Sequence, residues 1–247
     1  MRKYRGQDAL AAAMACLLAV FLAGCCINDD SDGLSLLGGV TGGGGGSAVD
    51  LGSAAAFRVL AGSTVDNTGP TSVDGDVGVS PGPAVTGFPP GTLTGTMHAG
   101  DATAATAQSD LTTAYNDAAG QPPGSVVSGN LGGQTLAPGV FTASSSLAVS
   151  SGDLTLTGLG DSNAVFIFQI PSSLTVTSGR QVILTGGAQA DNVIWQVGSS
   201  ATLGTNSFFV GTIMAQASIT LQTGASLQGR ALARTGGVTL ESAVIFP

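Results

Sequence analysis

Leu147-Ala148-Val149-Ser150-Ser151, Leu174-Thr175-Val176-Thr177-Ser178, Ala201-Thr202-Leu203-Gly204-Thr205, Ile219-Thr220-Leu221-Gln222-Thr223 and Val238-Thr239-Leu240-Glu241-Ser242 are five versions of one phrase. Each begins on an apolar residue and has a second apolar residue two places on. In four of the five, Thr stands between them, and Ser or Thr closes every copy. The first residues, 147, 174, 201, 219 and 238, are spaced by 27, 27, 18 and 19. A strand recurring at such periods, with no helical pattern between the copies, reads as a β-solenoid. Each copy is one rung that buries its apolar side only by stacking on its neighbours.

Side chains alternate across a strand. With Leu174 and Val176 pointing inward, Ser173, Thr175 and Thr177 point outward. Two outward columns follow: Ser146, Ser173, Ser200, Ser218 and Gly237, then Ala148, Thr175, Thr202, Thr220 and Thr239. Neither column carries a charge. Gln222 and Glu241 lie beside the threonines and bound the flat area, while Thr205 and Thr223 stand at the turn that follows.

The strand before each phrase has another character. Residues 165–170, 193–197 and 211–215 are apolar at successive positions, which implies burial on both faces. Residues 154–156, 182–184 and 227–229 supply a third, less regular side. Residues 101–119 break the pattern and read as one helix, with apolar positions at Ala104, Ala107, Leu111, Ala114, Tyr115 and Ala118. Asp101 is placed to cap its start, and Gly120 with Pro122-Pro123 ends it. The doubly apolar side is where this helix is expected to lie, spanning about six coils at ~1.5 Å per residue. Residues 57–65 echo the repeat as an N-terminal coil, with Leu60-Ala61 matched to Leu232-Ala233 and Thr64-Val65 to Thr239-Leu240. The expected fold is all-β with one long helix: a right-handed triangular β-solenoid with the helix packed along one side.

Composition narrows the function. Of 247 residues, 39 are Gly and 9% are charged, and the formal charge is −8. Three of the seven basic residues are Arg2, Lys3 and Arg5 at the N-terminus. Phosphate recognition needs clustered Lys and Arg, so nucleic acid is not an expected partner. Those three basic residues precede an apolar run over residues 9–21, too short for a comfortable membrane span, as in an export signal. It ends in Leu22-Ala23-Gly24-Cys25, which resembles the lipobox of bacterial lipoproteins. That resemblance implies cleavage before Cys25 and lipidation of its thiol. The absence of Asp after Cys25 leans toward the outer membrane or cell surface. Residues 1–24 are thus read as a signal peptide, 25–48 as a Gly-rich tether and 49–247 as the folded domain. A plain secretory signal with a chance cysteine is the alternative.

Catalytic and metal chemistry find little to work with. His98 is the single histidine, with no nearby Cys or paired carboxylates. Asp74 and Asp76 sit in a Gly-rich stretch that lacks a full Ca²⁺ loop, and turn stabilisation by Asx hydrogen bonds is expected of them. Trp195 aligns with Phe168 and Phe141, as a core residue does. No cofactor and no enzymatic activity are expected.

Residues 50–247 resemble the microbial ice-binding proteins with a discontinuous β-solenoid and a flanking helix. The stretches that carry this are residues 68–82, 114–120, 136–141, 192–197 and, above all, 211–233. The resemblance implies a C-terminal coil packed next to the N-terminal one, and adsorption to ice that slows growth and recrystallisation. The expected contact residues are Ser146, Ser173, Thr175, Ser200, Thr202, Ser218, Thr220 and Thr239, with ice and the anchoring membrane as partners of a monomer. An adhesive or structural surface module of the same fold is the main alternative. A carbohydrate-acting enzyme would need clustered carboxylates that the exposed columns lack.

Overall fold

The computed structural model of the protein describes residues 49–247. The expected signal peptide, Cys25 and the tether lie outside the described residues. Parallel strands form three sides of a triangular stack. Along the first side the order is Ser125–Asn130, Gly139–Val149, Phe166–Ile170, Val193–Val197, Phe208–Ala215, Ser226–Ala233, Phe57–Ala61, Asp76–Val79 and Met97–Ala99. Spatial order therefore departs from chain order. The C-terminal strand lies beside the N-terminal one, pairing Val59 with Ala231 and Leu60 with Leu232. The N-terminal coils continue the stack past this junction, and the helix carries the chain back to the opposite end.

The middle of this side, from Phe166–Ile170 through Phe208–Ala215 to Phe57–Ala61, is buried on both faces for two reasons. Inward, Phe141, Phe168 and Trp195 stack with ring centroids 4.9 and 3.9 Å apart. The indole Nε1 of Trp195 donates to the Val210 carbonyl at 2.9 Å. Outward, Ile167, Ile194, Met214, Leu232 and Leu60 meet the helix Ala102–Ala119. The helix buries Ala104, Ala107, Leu111, Ala114, Tyr115 and Ala118, the stripe expected from periodicity. Four of those six are Ala, which brings the helix axis close to the sheet.

The helix also fits in length. Its 18 residues extend ~27 Å. It runs from His98 beside its start to Gln169 beside its end, and these two residues are six rungs apart in one outward column. At ~4.7–4.9 Å per rung that column is roughly 29 Å long. Gln169 Nε2 donates to the carbonyls of Ala118 at 3.0 Å and Gln121 at 2.9 Å, serving carbonyls that lie past the last intrahelical bond, from Gly120 N to Asn116 O.

Two carboxylates tie the helix to the solenoid. Asp101 Oδ1 accepts from Ala104 N at 2.9 Å and Oδ2 lies 2.7 Å from His98 Nδ1. Asp110 Oδ2 accepts from Ser53 N at 2.8 Å and from Ser53 Oγ at 2.5 Å. Both groups sit below the usual aspartate value of 3.8, Asp101 chiefly through the Ala104 amide and then His98, Asp110 through Ser53. A carboxylate with a lowered folded value stabilises above its unfolded value and loses that contribution as pH falls through the folded one. Helical circular dichroism is therefore expected to fall on acidification below pH ~4, ahead of the β signal. Asp101→Asn and Asp110→Asn should each flatten that acid dependence.

Candidate functional site

The second side of the triangle carries the repeated phrase. Its strands stack as residues 147–149, then Leu174–Val176, Ala201–Leu203, Ile219–Leu221, Val238–Glu241, Thr64–Thr68 and Ala84–Thr86. The inward positions Leu174, Val176, Ala201, Leu203, Ile219, Leu221, Val238 and Leu240 are all buried. Thr175 pairs with Thr202, Thr202 with Thr220, and Thr220 with Thr239, without a register shift. The four threonines form one outward column at ~4.7–4.9 Å per step. Ala148 precedes them, paired with Thr175 on one side and Asn130 on the other.

The two hydroxyl columns differ in what their hydroxyls do. In the serine column, Ser173 Oγ donates to Ser146 Oγ at 2.9 Å, and Ser200 Oγ accepts from Ser218 N at 3.3 Å. Ser146, Ser173 and Ser200 thus brace one rung against the next. Among the described residues, the hydroxyls of Thr175, Thr202, Thr220 and Thr239 bond no protein group. They face solvent with their donor and both acceptor sites unspent, each beside its own methyl. A column of this kind orders water: the methyls restrict where it sits and the hydroxyls fix it.

Three sequence expectations need correction. Thr64-Val65 does not match Thr239-Leu240; Val65 pairs with Val238 and Asp66 with Thr239. The corner after Ala61 has three residues, 62–64, where the corner after Ala233 has four, 234–237. Matching Thr to Thr implies a corner shorter by three residues where it is shorter by one, and so misplaced the N-terminal strand by two residues, one full pleat. Thr64 is well registered, opposite Gly237 in the serine column. A Cβ on Gly237 would come within 2.9 Å of Thr64 Oγ1, so the glycine is where the neighbouring threonine crowds the column. Asp66, with Thr86 beyond it, continues the threonine column, so that column does carry a charge at its N-terminal coil. The third correction concerns Asp74 and Asp76, which bind no turn of their own. Their carboxylates reach the next coil, Asp74 accepting from Thr94 Oγ1 and Asp76 from Thr96 N, both at 2.7 Å.

Thr205 and Thr223 stand at the corner, where their carbonyls accept from Gly179 N and Asn206 N. His98 packs edge-on against Phe57 and contacts Asp101, at the start of the helix. The third side joins Leu154–Thr157, Val182–Thr185, residues 208–210 and 226–228, Val244–Phe246, Ser72–Val73 and Thr92–Leu93. Its outward positions begin with two threonine pairs, Thr135 with Thr155 and Thr157 with Thr185, and continue through Ile183, Phe208, Ser226 and Val244, a mixture that includes large apolar side chains. No group of three or more His, Cys, Asp and Glu suited to a metal occurs among the described residues.

Comparison with known proteins supplies the family. Residues 59–246 match the family model described as ice-binding-like. An ice-binding protein of Nostoc sp. (strain HG1) is 51% identical over 194 residues, covering 78% of this chain and 71% of the relative. An ice-binding protein of Leucosporidium sp. (strain AY30) is 36% identical, covering 86% of this chain and 88% of the relative. The crystal structure of an ice-binding protein from an Antarctic biological consortium superposes with a TM-score of 0.80 at 52% identity, over 87% of this chain and 96% of that one. An ice-binding protein from an Arctic yeast, solved to explain its antifreeze activity, superposes at 0.74 with 35% identity, over 80% of this chain and 93% of that one. With its paired terminal coils and return helix, the chain belongs to the ice-binding-like family, a family of ice binders and not of enzymes.

Proposed function

We propose that this protein adsorbs to ice, slows its growth and recrystallisation, and makes contact through the side built on Thr175, Thr202, Thr220 and Thr239. The serine column, Ser146, Ser173, Ser200 and Ser218, flanks that contact and holds its rungs level. The carrying observation is the unbroken register of four threonines whose hydroxyls have no protein partner. Thermal hysteresis and recrystallisation inhibition by the purified protein test the activity. Absence of both would leave an adhesive or structural module of the same fold.

The sequence before residue 49 supports export and anchoring through a lipid on Cys25, at the outer membrane or cell surface, with the domain acting as a monomer on the tether. Cys25→Ser is expected to abolish incorporation of labelled palmitate in a bacterial host. It should also shift the protein from the membrane to the soluble fraction. Retained labelling would exclude Cys25 as the acceptor.

A further inference from the structure

The geometry points to Asp66 as the residue that limits the ice-contact area, by placing a carboxylate in the threonine column and taking up the hydroxyls on either side of it. This rests on the contact side proposed above. The column does not stop at Thr239. Its register runs on through Asp66 to Thr86, and the serine column runs through Gly237 to Thr64. Two threonines therefore stand where they would extend both columns into the N-terminal coils.

Neither is available in the way Thr202 is. Asp66 Oδ2 accepts from Thr64 Oγ1 at 2.8 Å, and Oδ1 accepts from Thr86 Oγ1 at 2.9 Å. Each threonine has one hydroxyl hydrogen, and the carboxylate takes it. Asp66 itself is exposed, so its charge holds a shell of water on the plane that ice would occupy. Transferring that charge from liquid water to an ice contact costs free energy that a neutral hydroxyl does not. The ordered surface thus ends at Thr239, although a regular backbone continues for two more rungs.

A structural role for Asp66 in joining the coils is already served by the backbone. Val65, Asp66, Asn67 and Thr68 pair in register with residues 238–241, and Thr64 to Asp66 with residues 84–86. Removal of the carboxylate should leave that ladder intact and free both hydroxyls. Asp66→Thr would give an uninterrupted column from Thr175 to Thr86, six rungs in place of four.

The test compares the full chain with Asp66→Thr, Asp66→Asn and Thr202→Tyr, measuring thermal hysteresis at equal molarity and melting temperature. Asp66→Thr is expected to raise hysteresis roughly 1.5-fold, in proportion to the rungs that contact ice. Asp66→Asn removes the charge while keeping an amide that reaches the same hydroxyls, and should give a smaller rise. It also carries the test if Asp66→Thr folds poorly. Unchanged or reduced hysteresis in a folded variant, with Thr202→Tyr inactive, overturns the limit assigned to Asp66 and leaves the contact side standing. Full activity in Thr202→Tyr removes the contact side, and the role of Asp66 with it.

Discussion

Thr202→Tyr is expected to abolish thermal hysteresis and recrystallisation inhibition while changing stability by no more than about 0.5 kcal/mol, as for other substitutions that point away from the core. Thr202 stands in the middle of the column, paired to Thr175 on one side and Thr220 on the other. The phenol ring would rise several ångströms above the neighbouring methyls and hold the plane of the protein off a crystal surface. Adsorption requires many weak contacts made together, so one central protrusion removes contacts made by its neighbours as well. Thr202→Ser separates the two parts of the side chain. It keeps the hydroxyl and the flatness but deletes the methyl, and an intermediate loss is expected. Ser226→Tyr on the third side is the control, equally bulky and also outward. Loss of activity in Ser226→Tyr with retention in Thr202→Tyr would move the contact to the third side. Circular dichroism and melting temperature report that each variant is folded.

The reason the threonine side could be read from sequence is that one residue type recurs at one position of four successive rungs. Inward Leu174, Val176, Leu203 and Leu221 fix the parity, and parity fixes which way Thr175 and Thr202 point. The helix was legible for a related reason: its Ala-rich stripe and the doubly apolar strands are two halves of one interface. Corner lengths left no such trace. Between Ala61 and Val65 the chain spends one residue fewer than between Ala233 and Val238. A similarity of letters, Thr to Thr, could not reveal that difference. Asp66 was missed as a consequence, because its place in the column depends on pairing with Thr239 and not on any local pattern. The division of labour between serine and threonine hydroxyls was likewise invisible. It depends on rotamers and on contacts between rungs 18 to 27 residues apart.

The largest effect on stability is expected from Trp195→Ala, at roughly 3–5 kcal/mol for loss of a buried large aromatic. Trp195 is fully buried, stacks on Phe168 at 3.9 Å and lies 4.9 Å from Phe209, so three successive rungs meet at this ring. Alanine would leave a cavity that neighbours in hydrogen-bonded register cannot collapse to fill. It would also remove the donor that satisfies the Val210 carbonyl, adding the cost of a buried acceptor left unpaired. For a domain of about 200 residues the melting midpoint should fall by about 10 °C. Trp195→Phe keeps a ring in the stack and loses the indole donor, so its smaller loss measures how much belongs to stacking and filling. Strand Val193–Val197 also leads, three and five residues on, to Ser200 and Thr202. Loosening the stack should therefore lower hysteresis near the melting onset although every outward residue is unchanged, and calorimetry with hysteresis measured on the same samples reads both. A near-neutral Trp195→Ala would mean that the ladder of backbone hydrogen bonds, and not the aromatic column, holds these rungs level.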